Sequence, residues 1–170
     1  MFYLRLLLML IAVCASMTTF AFCNDSKDFH ESSSQVWKVG QGRWTIQEEY
    51  NYGKWLEANI TEEFFIRHKI RVDCADVPYA IRWIYARINH LPAAARTVNN
   101  RLIGHWSKDW ARFPTNTAWD KDRRFRAALM AMLSSTSTGS LPSDTYPIRV
   151  ATDSVTPGTV FLLAEDHAGI

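Results

Sequence analysis

The chain has 170 residues, of which 48% are hydrophobic and 21% charged. That is a globular composition, long enough for one domain with a real core and unlike a disordered tail. The formal net charge of +2 does not point to nucleic acid or an anionic membrane surface as partner.

Residues 1–23 read as a secretory signal peptide. Arg5 gives the positive start and Leu6 to Val13 the apolar run, while Ala21 and Cys23 are small residues suited to cleavage. The run is shorter than the roughly 20 residues a membrane-spanning helix needs, so the expectation is an exported protein, periplasmic or secreted, with no permanent membrane anchor. Phe22 before Cys23 and Val13 before Cys14 do not suit a lipid-modified cysteine.

Residues 24–35 are polar and serine-rich and read as a flexible spacer. Residues 36–170 are expected to form a single α+β domain. Gly40 and Gly42, between Trp37 and Trp44, mark a loop or short strand. Thr45 and Glu48 have capping-box spacing and predict a helix running to about Ala58, weakened by Gly53. Thr61 to His68 predicts a second, short helix.

Val77, Ala80, Ile81, Ile84 and Ile88 carry the rhythm of an amphipathic helix ending near Asn89. Asp73 is a candidate N-cap for it, which puts Cys74 at the first helical position. Unpaired amides and the positive end of the helix dipole favour an anion there, and so a thiolate. Pro78 suits a first turn, where amides have no internal partner.

Leu91 to Ala93 ends that helix. Ala94 to Ile103 is ambiguous, a short strand or a loop turning at Asn99-Asn100, and Gly104-His105-Trp106 opens a tryptophan-rich loop. Thr117 is a candidate cap for a helix over 118–133, with Arg123, Arg124 and Arg126 on its solvated face. Ser134 to Ser140 is a loop by composition. Strands are predicted at Tyr146–Ala151, at Thr159–Leu163 after a Pro157-Gly158 turn, and from His167 onward. Helices first and strands second is an α+β order. The chain stops inside a strand, so the expectation is a sheet truncated at the C-terminus or completed by another segment.

With Cys14 and Cys23 in the signal region, Cys74 is the one cysteine left to the folded body. Exported proteins tend to pair their thiols, so a lone one is a candidate reactive group. The blander reading, a small apolar residue at a helix start, stays open. Three cysteines in all are too few for a cysteine-built zinc site. A cysteine nucleophile needs a base that takes the thiol proton and returns it to the leaving group. The candidates are His68, His90, His105 and His167. His167 is favoured because a sheet would fix its position, while His68 and His90 near helix ends read as surface residues.

Asp73-Cys74-Ala75-Asp76 at a helix start, then Pro157-Gly158-Thr159-Val160-Phe161 and His167-Ala168-Gly169-Ile170, resembles the NlpC-type cysteine hydrolases of the papain-like superfamily. The resemblance implies Cys74 as nucleophile and His167 as base. Asp73 and Asp76 are candidate accessory residues, with a first-turn helix charge the other reading of Asp76. The resemblance also implies backbone amides near Cys74 around the oxyanion, no metal or organic cofactor, and a peptide or cell-wall fragment as substrate. Ala75-Asp76 stands where the family has Ser-Gly, Thr159 stands where it has aspartate, and the gap from Cys74 to His167 is longer than usual. The residue that would orient the histidine has no counterpart here.

A second pattern, Cys74, then Leu91-Pro92-Ala93, His105 and Asp120, is similar to transglutaminase-like enzymes. It implies Cys74, His105 and Asp120 as the catalytic set. The chain around His105 lacks the alternation of the strand that should carry it. A catalytically inactive exported binding module on the same scaffold is the third reading, since fold does not fix function.

Overall fold

A computed structural model describes residues 34–152, 154–163 and 167–170, all within one unit, Glu31–Ile170. The expected signal peptide, and the spacer up to residue 33, lie outside the described residues. The architecture is mixed, with helices and small antiparallel sheets: α1 Ile46–Asn59, α2 Phe64–Arg67, α3 Asp76–Ile88, β1 Ala94–Arg96, β2 Leu102–Gly104, α4 Arg123–Leu133, α5 Leu141–Asp144, β3 Phe161–Leu163 and β4 His167–Gly169. No described helix is long and apolar enough to cross a membrane.

Helix α3 is the centre of the core. Tyr79, Ala80, Ile81, Trp83, Ile84, Tyr85 and Ala86 are all buried, so the helix is covered on nearly every side. Helix α1 supplies one cover. Thr45 caps it by accepting from the Glu48 amide at 3.1 Å, as the spacing predicts. The Glu48 carboxylate does not close the box. It accepts instead from the Tyr85 hydroxyl on α3. Glu49 holds Arg82 of α3 through both guanidinium nitrogens, and that guanidinium lies 3.3 Å from the centroid of the Trp44 ring, a cation–π contact. The two helices are therefore joined by paired charges at their rim and by aromatic packing beneath, with the Tyr52 and Tyr85 rings 5.1 Å apart.

Helix α4 supplies another cover through Phe125, Ala128, Leu129 and Met132. It starts later than Thr117 suggests, because Asp122 is its cap, accepting from the Phe125 amide at 3.0 Å. Asp122 is fully buried and also meets Arg87 of α3 at 2.9 Å. One carboxylate thus ends one helix and neutralises a cation on the other. Arg124 and Arg126 are not a solvated face. Arg124 donates to the carbonyls of Phe113, Ala111 and Gln35, and Arg126 to those of His68 and Lys69. They hold loop backbone that would otherwise lack partners.

The ambiguous stretch after α3 is a hairpin, with β1 and β2 antiparallel and Ala95 opposite Ile103. Asn100 takes a positive φ of 62° in its turn, a conformation asparagine tolerates. Helix α5, not foreseen from the serine-rich composition, follows the loop.

The expected strand over Tyr146–Ala151 does not form. The segment makes no strand among the described residues, and Tyr146 and Val150 are 79% and 91% exposed. The later pair does form, β3 antiparallel to β4 with Leu163 opposite His167. Pro157-Gly158 turns as expected, with Gly158 at φ 96°. A Cβ there would meet the Tyr52 ring at 2.8 Å, and one on Gly53 would meet the Pro157 carbonyl at 3.2 Å. Gly53 lies inside α1 because this turn docks on it, which accounts for a residue that otherwise weakens a helix.

Candidate active site

Asp73, Cys74 and Ala75 lead directly into α3. Helical hydrogen bonding begins at Asp76, so Cys74 stands two residues before the helix and not at its first position. The local geometry is a reciprocal box. Asp73 Oδ1 accepts from the amides of Ala75 and Asp76 at 2.9 and 3.0 Å, and Asp76 Oδ2 accepts from the Asp73 amide at 3.1 Å. Two short acidic residues three apart thus satisfy one another's orphan amides, as a capping box does. Cys74 sits inside the bracket, half-buried and free, between exposed Asp73 and buried Ala75.

This arrangement holds the backbone on either side of Cys74 and also occupies its neighbouring donors. The amides of Ala75 and Asp76, which a thiolate or an oxyanion would use, already donate to Asp73. Asp76 is 9% exposed, and its Oδ1 is buried without a partner among the described residues. Burial, the largest cause, pushes the Asp76 carboxyl above its ordinary range; the bond from the Asp73 amide pulls it back, and the Asp73 charge adds to the rise.

The histidines fall in different places. His105 follows the last residue of β2. Its amide continues the ladder by donating to the Ala93 carbonyl at 3.0 Å, and its carbonyl accepts from Val36 and Trp37. The chain there is ordered strand-like backbone, although its sequence does not alternate. The imidazole Nδ1 lies 3.3 Å from both the carbonyl and the amide nitrogen of Ala93, and the ring packs on Trp37 and Trp106. Burial pushes its pKa down, with the Ala93 hydrogen bond opposing. That favours the neutral imidazole, the form a general base needs. Its backbone partner Ala93, however, belongs to the chain leaving the C-terminal end of α3, whereas Cys74 precedes the N-terminal end.

Asp120 lies 4.0 Å from His68 Nδ1, not among the contacts of His105. His68 is half-buried, its ring 4.7 Å from Trp119 and 4.8 Å from Phe64, so it is not the simple surface residue its helix-end position suggests. His90 has a positive φ of 53° just after α3, and its Nδ1 lies 3.0 Å from the Lys38 carbonyl. His167 opens β4 opposite Leu163 and is exposed. Among the described residues, no hydrogen bond joins the Cys74 sulfur to a histidine. Among them too, no group of three or more histidine, cysteine, aspartate or glutamate side chains is placed to hold a metal ion.

Sequence reasoning missed the Asp73–Asp76 reciprocity. The signal was present, since two acidic residues three apart before an apolar helix fit the capping-box pattern with aspartate in both places. It also missed a cavity of about 350 Å³ between the β1–β2 turn and the serine-rich loop, with Arg96, Thr97, Asn100, Ser137, Ser140 and Ser143 in its lining. The Tyr79 hydroxyl, on the first turn of α3, lies 3.2 Å from Ser140 Oγ and donates to Asp144 at 2.9 Å.

No family model matches the chain, and no curated protein and no solved structure shows significant similarity to it.

Proposed function

We propose that the protein is an exported cysteine hydrolase with a papain-like arrangement, cleaving an amide or peptide bond by acyl transfer, with cell-wall peptide as substrate. The observation that carries the proposal is the bracket around Cys74. A half-exposed thiol is carried on backbone that reciprocal Asp73–Asp76 hydrogen bonds bracket, at the start of the central buried helix. Such rigid support is what a nucleophile needs to meet a carbonyl at a fixed distance.

In this reading His167 takes the Cys74 proton, and the sulfur adds to the substrate carbonyl. The tetrahedral intermediate collapses as histidinium protonates the departing amine. Water then adds to the thioester, with the same imidazole as base, releasing the acid and restoring the thiol. His105, held neutral by burial, is the base in the transglutaminase-like alternative with Cys74 and Asp120. The inactive binding module is favoured by a different observation: both first-turn amides next to Cys74 donate to Asp73.

The test is the pH dependence of Cys74 alkylation in the wild type, His167→Ala and His105→Ala. An ordinary thiol titrates near about 8.5, and an activated one well below that. The hydrolase reading expects a depressed apparent pKa that His167→Ala returns to the ordinary range. Restoration by His105→Ala alone moves the base to His105. An ordinary thiol in all three proteins leaves the binding module.

A further inference from the structure

The cavity beside the β1–β2 turn is lined mainly by polar side chains, with Val98 and Gly139 completing it. Thr97 and Ser140 are buried in it, while Asn100 and Ser143 are exposed. The buried residues are held rigidly. Thr97 Oγ1 accepts from the Arg101 amide at 3.1 Å. Ser140 Oγ accepts from the Ser137 amide at 3.0 Å and donates to the Ser137 carbonyl at 3.0 Å. Arg96 brings the sole formal charge among the lining residues. Its Nη1 donates to Asn100 Oδ1 at 2.7 Å. That bond fixes the guanidinium, uses the acceptor atom of Asn100, and leaves the Asn100 amide nitrogen as a donor. Among the described residues, Arg96 Nε and Nη2 and the hydroxyls of Ser137 and Ser143 have no protein partner.

A planar guanidinium with a free edge, next to hydroxyls that rotate to donate, suits an oxyanion with two oxygens in one plane. Asp144 is the charge that opposes this. Its Oδ2 accepts from the Arg96 amide at 2.7 Å and from the Tyr79 hydroxyl at 2.9 Å, so two donors already offset it, and it is not part of the lining. The cavity also lies against the Cys74 helix, since the Tyr79 hydroxyl on the first turn of α3 sits 3.2 Å from Ser140 Oγ. It is an open depression of about 350 Å³.

We propose that this cavity binds an oxyanion, the carboxylate end of a short peptide, through the Arg96 guanidinium and the Ser137 and Ser143 hydroxyls. The oxyanion stands on the cavity alone; the peptide as its bearer rests on the hydrolase reading.

The experiment is calorimetric titration of the full chain carrying Cys74→Ser, so that turnover does not intervene. The probes are diglycine, diglycine amide and inorganic phosphate. Diglycine is expected to bind saturably, and its amide at least about tenfold more weakly, a difference of about 1.4 kcal/mol. Arg96→Gln removes binding, Arg96→Lys keeps part of it, and Ser143→Ala, at an exposed position, weakens it with the fold intact by circular dichroism. Equal binding of acid and amide, unchanged affinity in both Arg96→Gln and Ser143→Ala, or no binding of any probe at millimolar concentration overturns the proposal. Phosphate binding without diglycine binding supports the oxyanion site and removes the peptide as its bearer. Oxyanion binding beside an ordinary, unreactive Cys74 sinks the hydrolase reading while the cavity assignment stands.

Discussion

Around α3, the two arginines Arg82 and Arg87 meet opposite charges, and its aromatic rings meet other rings. After Thr145, apolar side chains face solvent. Arg87 is buried against Asp122, and Arg82 is clasped by Glu49 and laid on Trp44. In the last segment Tyr146, Val150, Phe161 and Leu163 are all exposed, and β3 and β4 pair only with each other among the described residues. Among the described residues, Pro157-Gly158 packs against Gly53, Tyr52 and Leu56, and Leu162 and Ala168 pack against the core. The difference is one of cooperativity. The α3 region should unfold only with the whole protein, and the last segment should open at lower free energy.

The largest expected effect separates the two regions from the α3 side. Arg87→Leu leaves the fully buried Asp122 carboxylate without its cation, and Asp122 must still cap α4. Removing one partner of a buried pair costs about 3–5 kcal/mol. Urea unfolding should show that loss as a lower midpoint of the main transition. A change below about 1 kcal/mol would mean that water reaches Asp122 and that the pair is not a core element.

Gly158→Ala is the matching change on the other side, and smaller. It places a side chain at φ 96°, with its Cβ 2.8 Å from the Tyr52 ring. Backbone strain of this kind costs about 1–3 kcal/mol. The turn should lift off α1, so proteolysis and amide exchange over 146–170 should accelerate while the main unfolding transition keeps most of its midpoint. If the main midpoint falls as far as in Arg87→Leu, the last segment is part of the cooperative core and the contrast fails.

The same contrast governs how much was legible in sequence. The α3 pattern, the Thr45 cap and the Pro157-Gly158 turn were readable because each depends on residues close in the chain. Asp122 as the cap of α4 was not, because Thr117 is an equally good local signal. The choice is made by Arg87, a whole helix away, which draws the carboxylate inward. Arg124 and Arg126 looked solvated because helical spacing says nothing of loop carbonyls that come to meet them. Tyr146 to Ala151 alternates as a strand should, yet β propensity is largely the propensity of a packed, paired surface, and no described strand lies beside it. At the candidate site, Cys74 and the Asp73 cap were legible as local chemistry, while the bond that Asp76 returns to the Asp73 amide was not read. A partner histidine was not legible, since it depends on long-range placement.

The smallest effect concerns the bracket around Cys74. Burial raises the Asp76 carboxyl above its ordinary value of about 3.8. The native state therefore holds a proton that the unfolded chain has already released. From about 3.8 up to the raised native value, stability falls as pH rises, because the unfolded state binds fewer protons there. Asp76→Asn keeps an oxygen for the Asp73 amide and removes the titration. The stability difference, wild type minus variant, should decline across that window and level off above it, measured by urea unfolding at a series of pH values. A flat difference would mean that Asp76 ionises as readily in the folded state as in the unfolded chain.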